Sequence, residues 1–199
     1  MSSFSLVVTE GLLEIPVAQK VLTALGIEHE ETRFVPKGGT DAFWRDAMKY
    51  NRAAQHAGPV LAVTDLEQSP CPSGLIAEHL PHGRHPQFVL RIAEHMLEAW
   101  LLADREAIAS FLRVPAARVP DDPDKRLNPK QDLVNLARHS RKRLVLEDIV
   151  PPQGSQGIVG RGYLSQMTAF VQDSWRPRKA SANSESLRRA LVAIQKAAA

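Results

Sequence analysis

The chain has 199 residues, 44% of them hydrophobic, which is enough for one ordinary domain to bury a core without covalent staples. Its single cysteine, Cys71, excludes an internal disulfide, and no apolar stretch approaches the roughly 20 residues that a membrane helix needs. The net charge of +3 is uneven: residues 1–99 carry 8 basic and 12 acidic side chains, residues 100–199 carry 17 and 10. An acidic first half suits cations and a basic second half suits a polyanion such as nucleic acid, although basic clusters on helices are commonly solvated faces. The expectation is a cytoplasmic protein with no membrane segment.

In chain order, Ser5 to Thr9 is β-branched and apolar and reads as a first strand rather than a signal peptide. Ile15, Ala18, Val21, Leu22 and Leu25 then mark one face of a helix closed by Gly26. Glu30 to Val35 suggests a second strand, Lys37-Gly38-Gly39 a tight turn, and Thr40 a cap for a helix running to about Ala57. Val60 to Thr64 and Phe88 to Ala93 are short continuous apolar runs, as expected of strands buried on both faces of a parallel sheet. After about Met96 the pattern turns helical over Leu97–Leu112, Lys130–Arg138, Gly162–Asp173 and Ser184–Ala197, with connectors at Val114–Pro129 and Val150–Gly162. The predicted class is α/β: an open, mostly parallel sheet flanked by helices over about 1–95, with a helical half over about 96–199 packed on the same domain, 1–199.

Glu10 follows the first strand, and Asp65 and Glu67 follow the strand Val60 to Thr64. In open α/β sheets ligands bind beyond the carboxyl ends of strands, so these carboxylates occupy the usual ligand position. Asp65 and Glu67, two apart, face one way if the backbone stays extended, and Glu14 shares the side of Glu10 if the helix begins at once. Crowded carboxylates call for a cation, and hard oxygen donors suit magnesium or manganese. The plainer reading is that Glu14 favours a helix start and Asp65 opens a turn. Glu98 and Asp104, six apart, do not share a helix face; Glu98 is the better candidate for the site and Asp104 a cap for the segment from Arg105. Lys130, after Pro129, offers either a cation for a phosphate oxygen or a solvated lysine. Lys37, Arg141, Lys142 and Arg143 are the candidate nucleic-acid contacts. His79, His82 and His85 are spaced by three, but Pro81 and Gly83 interrupt any shared face. Gly157, Gly160 and Gly162 follow no strand and read as a connecting turn, and Cys71 as a loop residue.

Val8-Thr9-Glu10-Gly11 with Glu14, followed by Asp65-Leu66-Glu67, resembles the pattern of Toprim domains, a glutamate after the first strand and Asp-x-Asp after a later one. The chain more closely resembles a bacterial Toprim-related family, domain of unknown function 4276, similar to the nuclease domains of overcoming-lysogenization-defect proteins. The phrase Glu98-Ala99-Trp100-Leu101-Leu102-Ala103-Asp104 is its most specific motif. Lys37-Gly38-Gly39, Asn128-Pro129-Lys130, Gly160-Arg161-Gly162-Tyr163, Trp175-Arg176-Pro177 and Ser184-Glu185-Ser186-Leu187-Arg188-Arg189 extend the resemblance from about Leu6 to Ile194.

That resemblance implies metal binding at Glu10, Glu14 and Asp65, with Glu67 in place of the second aspartate and Met96 where an acidic residue is expected. It also implies a place in phage defence and a separate ATPase partner, since the chain has no P-loop. The leading expectation is a magnesium- or manganese-dependent nuclease or related phosphoryl-transfer enzyme, with Glu10 and Asp65 central, Glu14 and Glu67 completing coordination, and Glu98 and Lys130 in support. The alternative is a noncatalytic nucleic-acid- or protein-binding effector with a degenerate metal site, which the departures at Glu67 and Met96 favour.

Overall fold

Successive side chains of a strand point to opposite faces, so a continuous apolar run needs cover on both, and the fold follows from that need. In the computed structural model, which describes residues 3–199, four strands form one all-parallel sheet: β1 (Leu6–Thr9), β2 (Arg33–Pro36), β3 (Val60–Asp65) and β4 (Phe88–Ala93). Their spatial order is β2-β1-β3-β4. Val7, Leu61 and Val89 are direct lateral neighbours across β1, β3 and β4. Val7, Leu61, Val63 and Val89 face one core; Val8, Val60, Ala62, Phe88 and Leu90 face the other.

The second core is closed by α2 (Thr40–Ala53) and α3 (Pro72–His79), through residues such as Phe43, Trp44, Ala47 and Leu75. The first is closed by α1 (Glu14–Leu25) and by the helices of the second half: α4 (Glu98–Ala103), α5 (Arg105–Leu112), α6 (Pro129–Ala137), α7 (Arg143–Ile149), α8 (Tyr163–Asp173), α9 (Pro177–Ala180) and α10 (Glu185–Ala198). One buried cluster thus runs from Phe4 to Ala198, and α10 lies against β4. Trp100 is buried in it, its indole N–H donating to Ser186 Oγ at 2.8 Å. Among the described residues no helix is long and apolar enough to cross a membrane.

Several boundaries differ from the sequence expectation. The second strand begins at Arg33 rather than Glu30, because it is a short, half-exposed edge that pairs only with β1. The helical stretch Leu97–Leu112 is two helices divided at Asp104, in keeping with its reading as a cap for the segment from Arg105: its backbone (φ −86°, ψ 69°) leaves the helical region while its carboxylate caps α5 through Ala107 N–H. Asp104 also takes three hydrogen bonds from Arg176, at 2.6–3.0 Å, so the motif's final aspartate joins α4, α5 and the start of α9. Helices α3, α7 and α9 lie in stretches with no periodic apolar face. Helix α3 is opened by Cys71, whose sulfur accepts from Gly74 N–H, with Pro72 at the first helical position.

Candidate metal centre

The carboxyl ends of β1 and β3 lie side by side, so Glu10 and Asp65 emerge together. Glu10 is held at both oxygens: Oε1 accepts from Thr40 Oγ1 at 2.6 Å, and Oε2 from Thr64 Oγ1 at 2.6 Å and from Asp65 N–H at 3.3 Å. Thr40 therefore does not cap its own helix. Gly39 takes that position, and the Gly38 and Gly39 N–H groups, with φ of 80° and 130°, both donate to the Glu10 carbonyl. Asp65 is buried and accepts from Leu97 N–H through Oδ1 at 2.8 Å. Glu14 is the first residue of α1 and accepts from Gly11 N–H at 3.1 Å.

The second half of the chain supplies the facing wall. Glu98, 2% exposed, begins α4; its Oε1 accepts from the Tyr163 hydroxyl at 2.8 Å and lies 3.5 Å from Lys130 Nζ. Its other oxygen, Oε2, is buried with no hydrogen-bond partner. Glu10, Glu14, Asp65, Glu98, Lys130 and Tyr163 all line one cleft of about 330 Å³.

Crowding and burial set the protonation of this cleft. Burial, reinforced by the charges of Glu10 and Glu98, pushes the Glu14 carboxyl up to about 7. Asp65 is held well above the ordinary carboxylate range by burial and by the Glu98, Glu14 and Glu10 charges, with Lys130 opposing. Burial works against the Lys130 ammonium, yet Glu98, Asp65 and Glu14 outweigh it and hold Lys130 above the ordinary lysine value. Burial and Glu98 likewise raise the Tyr163 phenol.

No protein-family model, curated protein or solved structure matches the chain.

Five of the sequence candidates, Glu10, Glu14, Asp65, Glu98 and Lys130, share the cleft. Glu67 does not. Its φ of 52° turns the backbone into the left-handed region, and its exposed side chain lines a neighbouring cleft of about 460 Å³ with Trp44 and His79; Thr40 Oγ1, 3.0 Å from Glu67 Oε1, connects the two. Lys37 is paired with Asp46 and lies beneath the Tyr50 ring. Arg143 pairs with Glu147, whereas Arg141 and Lys142 line an open groove elsewhere. Of the histidines, His79 stacks on Trp44 and His85 accepts from Gln87 N–H. Among the described residues no three acidic, histidine or cysteine side chains stand ready-made in the arrangement that holds a metal ion. The sequence pointed to Thr40 only as a helix cap and to Thr64 not at all, and Tyr163 was marked only by the Gly-Arg-Gly-Tyr phrase.

Proposed function

We propose that the chain is a divalent-metal-dependent phosphodiesterase acting on nucleic acid, with Glu10, Glu14, Asp65 and Glu98 as the donors for magnesium or manganese. The observation that carries this reading is Glu98 Oε2, a desolvated carboxylate oxygen without a partner in a cleft shared with three other carboxylates. An isolated ionised oxygen is costly to bury, and a hard cation satisfies such oxygens while relieving the repulsion among them. The cluster is not drawn together as it stands, so ion binding would pull these side chains inward. Bound there, the ion would polarise a phosphoryl oxygen and acidify a coordinated water.

The chain's own groups prepare the cleft for that chemistry. Thr40 and Thr64 fix the direction of Glu10, Leu97 N–H fixes one oxygen of Asp65, and Tyr163 holds Glu98. Lys130, kept protonated by its carboxylate neighbours, is placed to meet a phosphate oxygen or the leaving oxygen. Glu10 after β1 and Asp65 at the end of β3 match the order that the Toprim resemblance implies, and the Toprim-like assignment belongs to the same proposal. So do its other implications: a cytoplasmic setting, an ATPase partner and phage defence.

The second reading is a noncatalytic binding subunit, favoured by the position of Glu67 outside the cleft. Incubation with single- and double-stranded DNA and RNA in manganese or magnesium separates the two. Catalysis requires cleavage that a chelator stops and that Asp65→Asn and Glu98→Gln each abolish. Manganese binding without cleavage of any substrate would favour the binding subunit.

A further inference from the structure

The end of α5 and the connection between α6 and α7 enclose an open groove of about 800 Å³ lined by Arg113, Arg118, His139, Arg141 and Lys142. No acidic residue lines it. Among the described residues none of its three arginines nor Lys142 takes part in an ion pair, although Arg105, Arg126 and Arg143 nearby each have a carboxylate partner. Four permanent cations left uncompensated around one groove repel one another and attract a polyanion.

The walls are held in place. Arg113 closes α5 in the left-handed conformation, φ 56°, a position that ordinarily favours glycine, with its N–H on the Ala109 and Ser110 carbonyls. Arg118 ends a short 3-10 turn over Ala116–Arg118. Across the groove, the Ser140 hydroxyl accepts from Lys142 N–H at 3.0 Å, and Lys142 Nζ lies 5.5 Å from the centre of the Phe111 ring. The cations are therefore presented by fixed backbone from two separate segments.

We propose that this groove is a nucleic-acid backbone track, seated on phosphates by Arg113, Arg118 and Arg141. The planar guanidinium fork matches phosphate oxygens in pairs, and an open channel accommodates a polymer. The assignment of the bound polymer as substrate rests on the phosphodiesterase reading. Helix α6 joins the two places: Lys130, in the carboxylate cleft, stands at its start and His139 lies just past its end. Nine helical residues span about 13 Å, or three to four duplex steps at about 3.4 Å each, a separation of the order a short strand can bridge.

The test is fluorescence anisotropy with labelled single-stranded and duplex DNA of about 20 nucleotides, in a chelator, between about 50 and about 200 mM salt. The unmodified protein is expected to bind with a negative log-log salt slope. In the triple variant Arg113→Gln, Arg118→Gln, Arg141→Gln, that slope flattens by about 0.9 per lost duplex contact, or about 0.7 for a single strand. Arg52→Gln, which removes an exposed cation at the end of α2, on the other face of the sheet, leaves it unchanged. The proposal is overturned if neither DNA binds, if the triple variant keeps the original slope, or if Arg52→Gln flattens it as much. It is also overturned if millimolar inorganic phosphate competes as well as the DNA, which would indicate a small-anion site. Because binding is read without metal, a track that binds while no condition yields cleavage refutes the phosphodiesterase reading alone. Cleavage with an unchanged KM in the triple variant refutes the track alone.

Discussion

Replacing Glu14 by glutamine exposes the electrostatic cost that the cleft carries without metal. The folded protein raises this carboxyl from 4.5 to about 7, chiefly by burial and then by the charges of Glu10 and Glu98. Between those two values the folded state keeps a proton that the unfolded chain has released, so stability falls as pH rises. The contribution is fully present below about pH 4.5 and lost once pH passes about 7. At roughly 1.4 kcal/mol per pH unit, the loss is about 3 kcal/mol. Glutamine keeps the shape, and its amide oxygen can still accept from Gly11 N–H, while nothing remains to ionise. Urea denaturation in a chelator at pH 5 and pH 8 should therefore show the variant gaining on the unmodified protein by about 2.5 kcal/mol across that interval, the rest of the loss falling outside it. Asp65 is raised by the same neighbours, and removing one of them adds relief of the same sign. Equal pH dependence in the two proteins, or a variant that loses ground as pH rises, would refute the picture of a desolvated, mutually repelling cluster.

Tyr163→Phe removes the hydroxyl that donates to buried Glu98, and should lower unfolding free energy at neutral pH by about 1.5 to 3 kcal/mol; an unchanged urea midpoint would argue against that bond. Arg176→Met leaves Asp104, whose side chain is 1% exposed, without its cation, and should cost about 3 kcal/mol in the same measurement. Glu106→Gln, an exposed partner of Arg176, should be close to neutral in thermal unfolding. Gly160→Ala would put a Cβ 2.3 Å from the Asp148 carbonyl oxygen and 2.9 Å from that of Val150, so backbone must move. A loss of about 1 to 3 kcal/mol is expected from calorimetry, and an unperturbed melt would show that the turn has room.

What could be read from the sequence was what depends on local pattern. The apolar runs of β1, β3 and β4, the glycine closing α1, and the choice of Glu98 for the cleft with Asp104 as a cap all follow from spacing within a few residues. Glu67 shows where that reasoning stops: two-residue periodicity aims side chains together only while the backbone stays extended, and a left-handed turn at Glu67 ends it. Thr40, read as a cap, is diverted because a carboxylate from β1 lies within reach and offers a stronger acceptor than a helix N–H offers a donor. Thr64 and Glu10 are 54 positions apart and Tyr163 and Glu98 are 65; no local signal encodes such pairings. The short helix α7, with only Val145 and Ile149 buried, leaves too little periodicity to detect.

The positions of the cleft residues within their elements explain why so many acids survive there. Glu14 and Glu98 are the first residues of α1 and α4, where unpaired N–H groups carry partial positive charge and favour an anion. Leu97 N–H, at the entrance to α4, gives its bond to Asp65. Lys130 is the exception, a cation in the first turn of α6, where the backbone field opposes it. Its raised pKa despite burial therefore reflects the carboxylates it faces. Those carboxylates come from both halves of the chain. A division near residue 95 would leave Glu10, Glu14 and Asp65 on the sheet-rich side without Glu98, Lys130 and Tyr163. It would also strip one face of the sheet, since Val7, Leu61 and Val89 pack in the same cluster as Trp100, Leu133 and Phe170. The contacts that cover that sheet face also bring the second wall of the cleft to the strand ends.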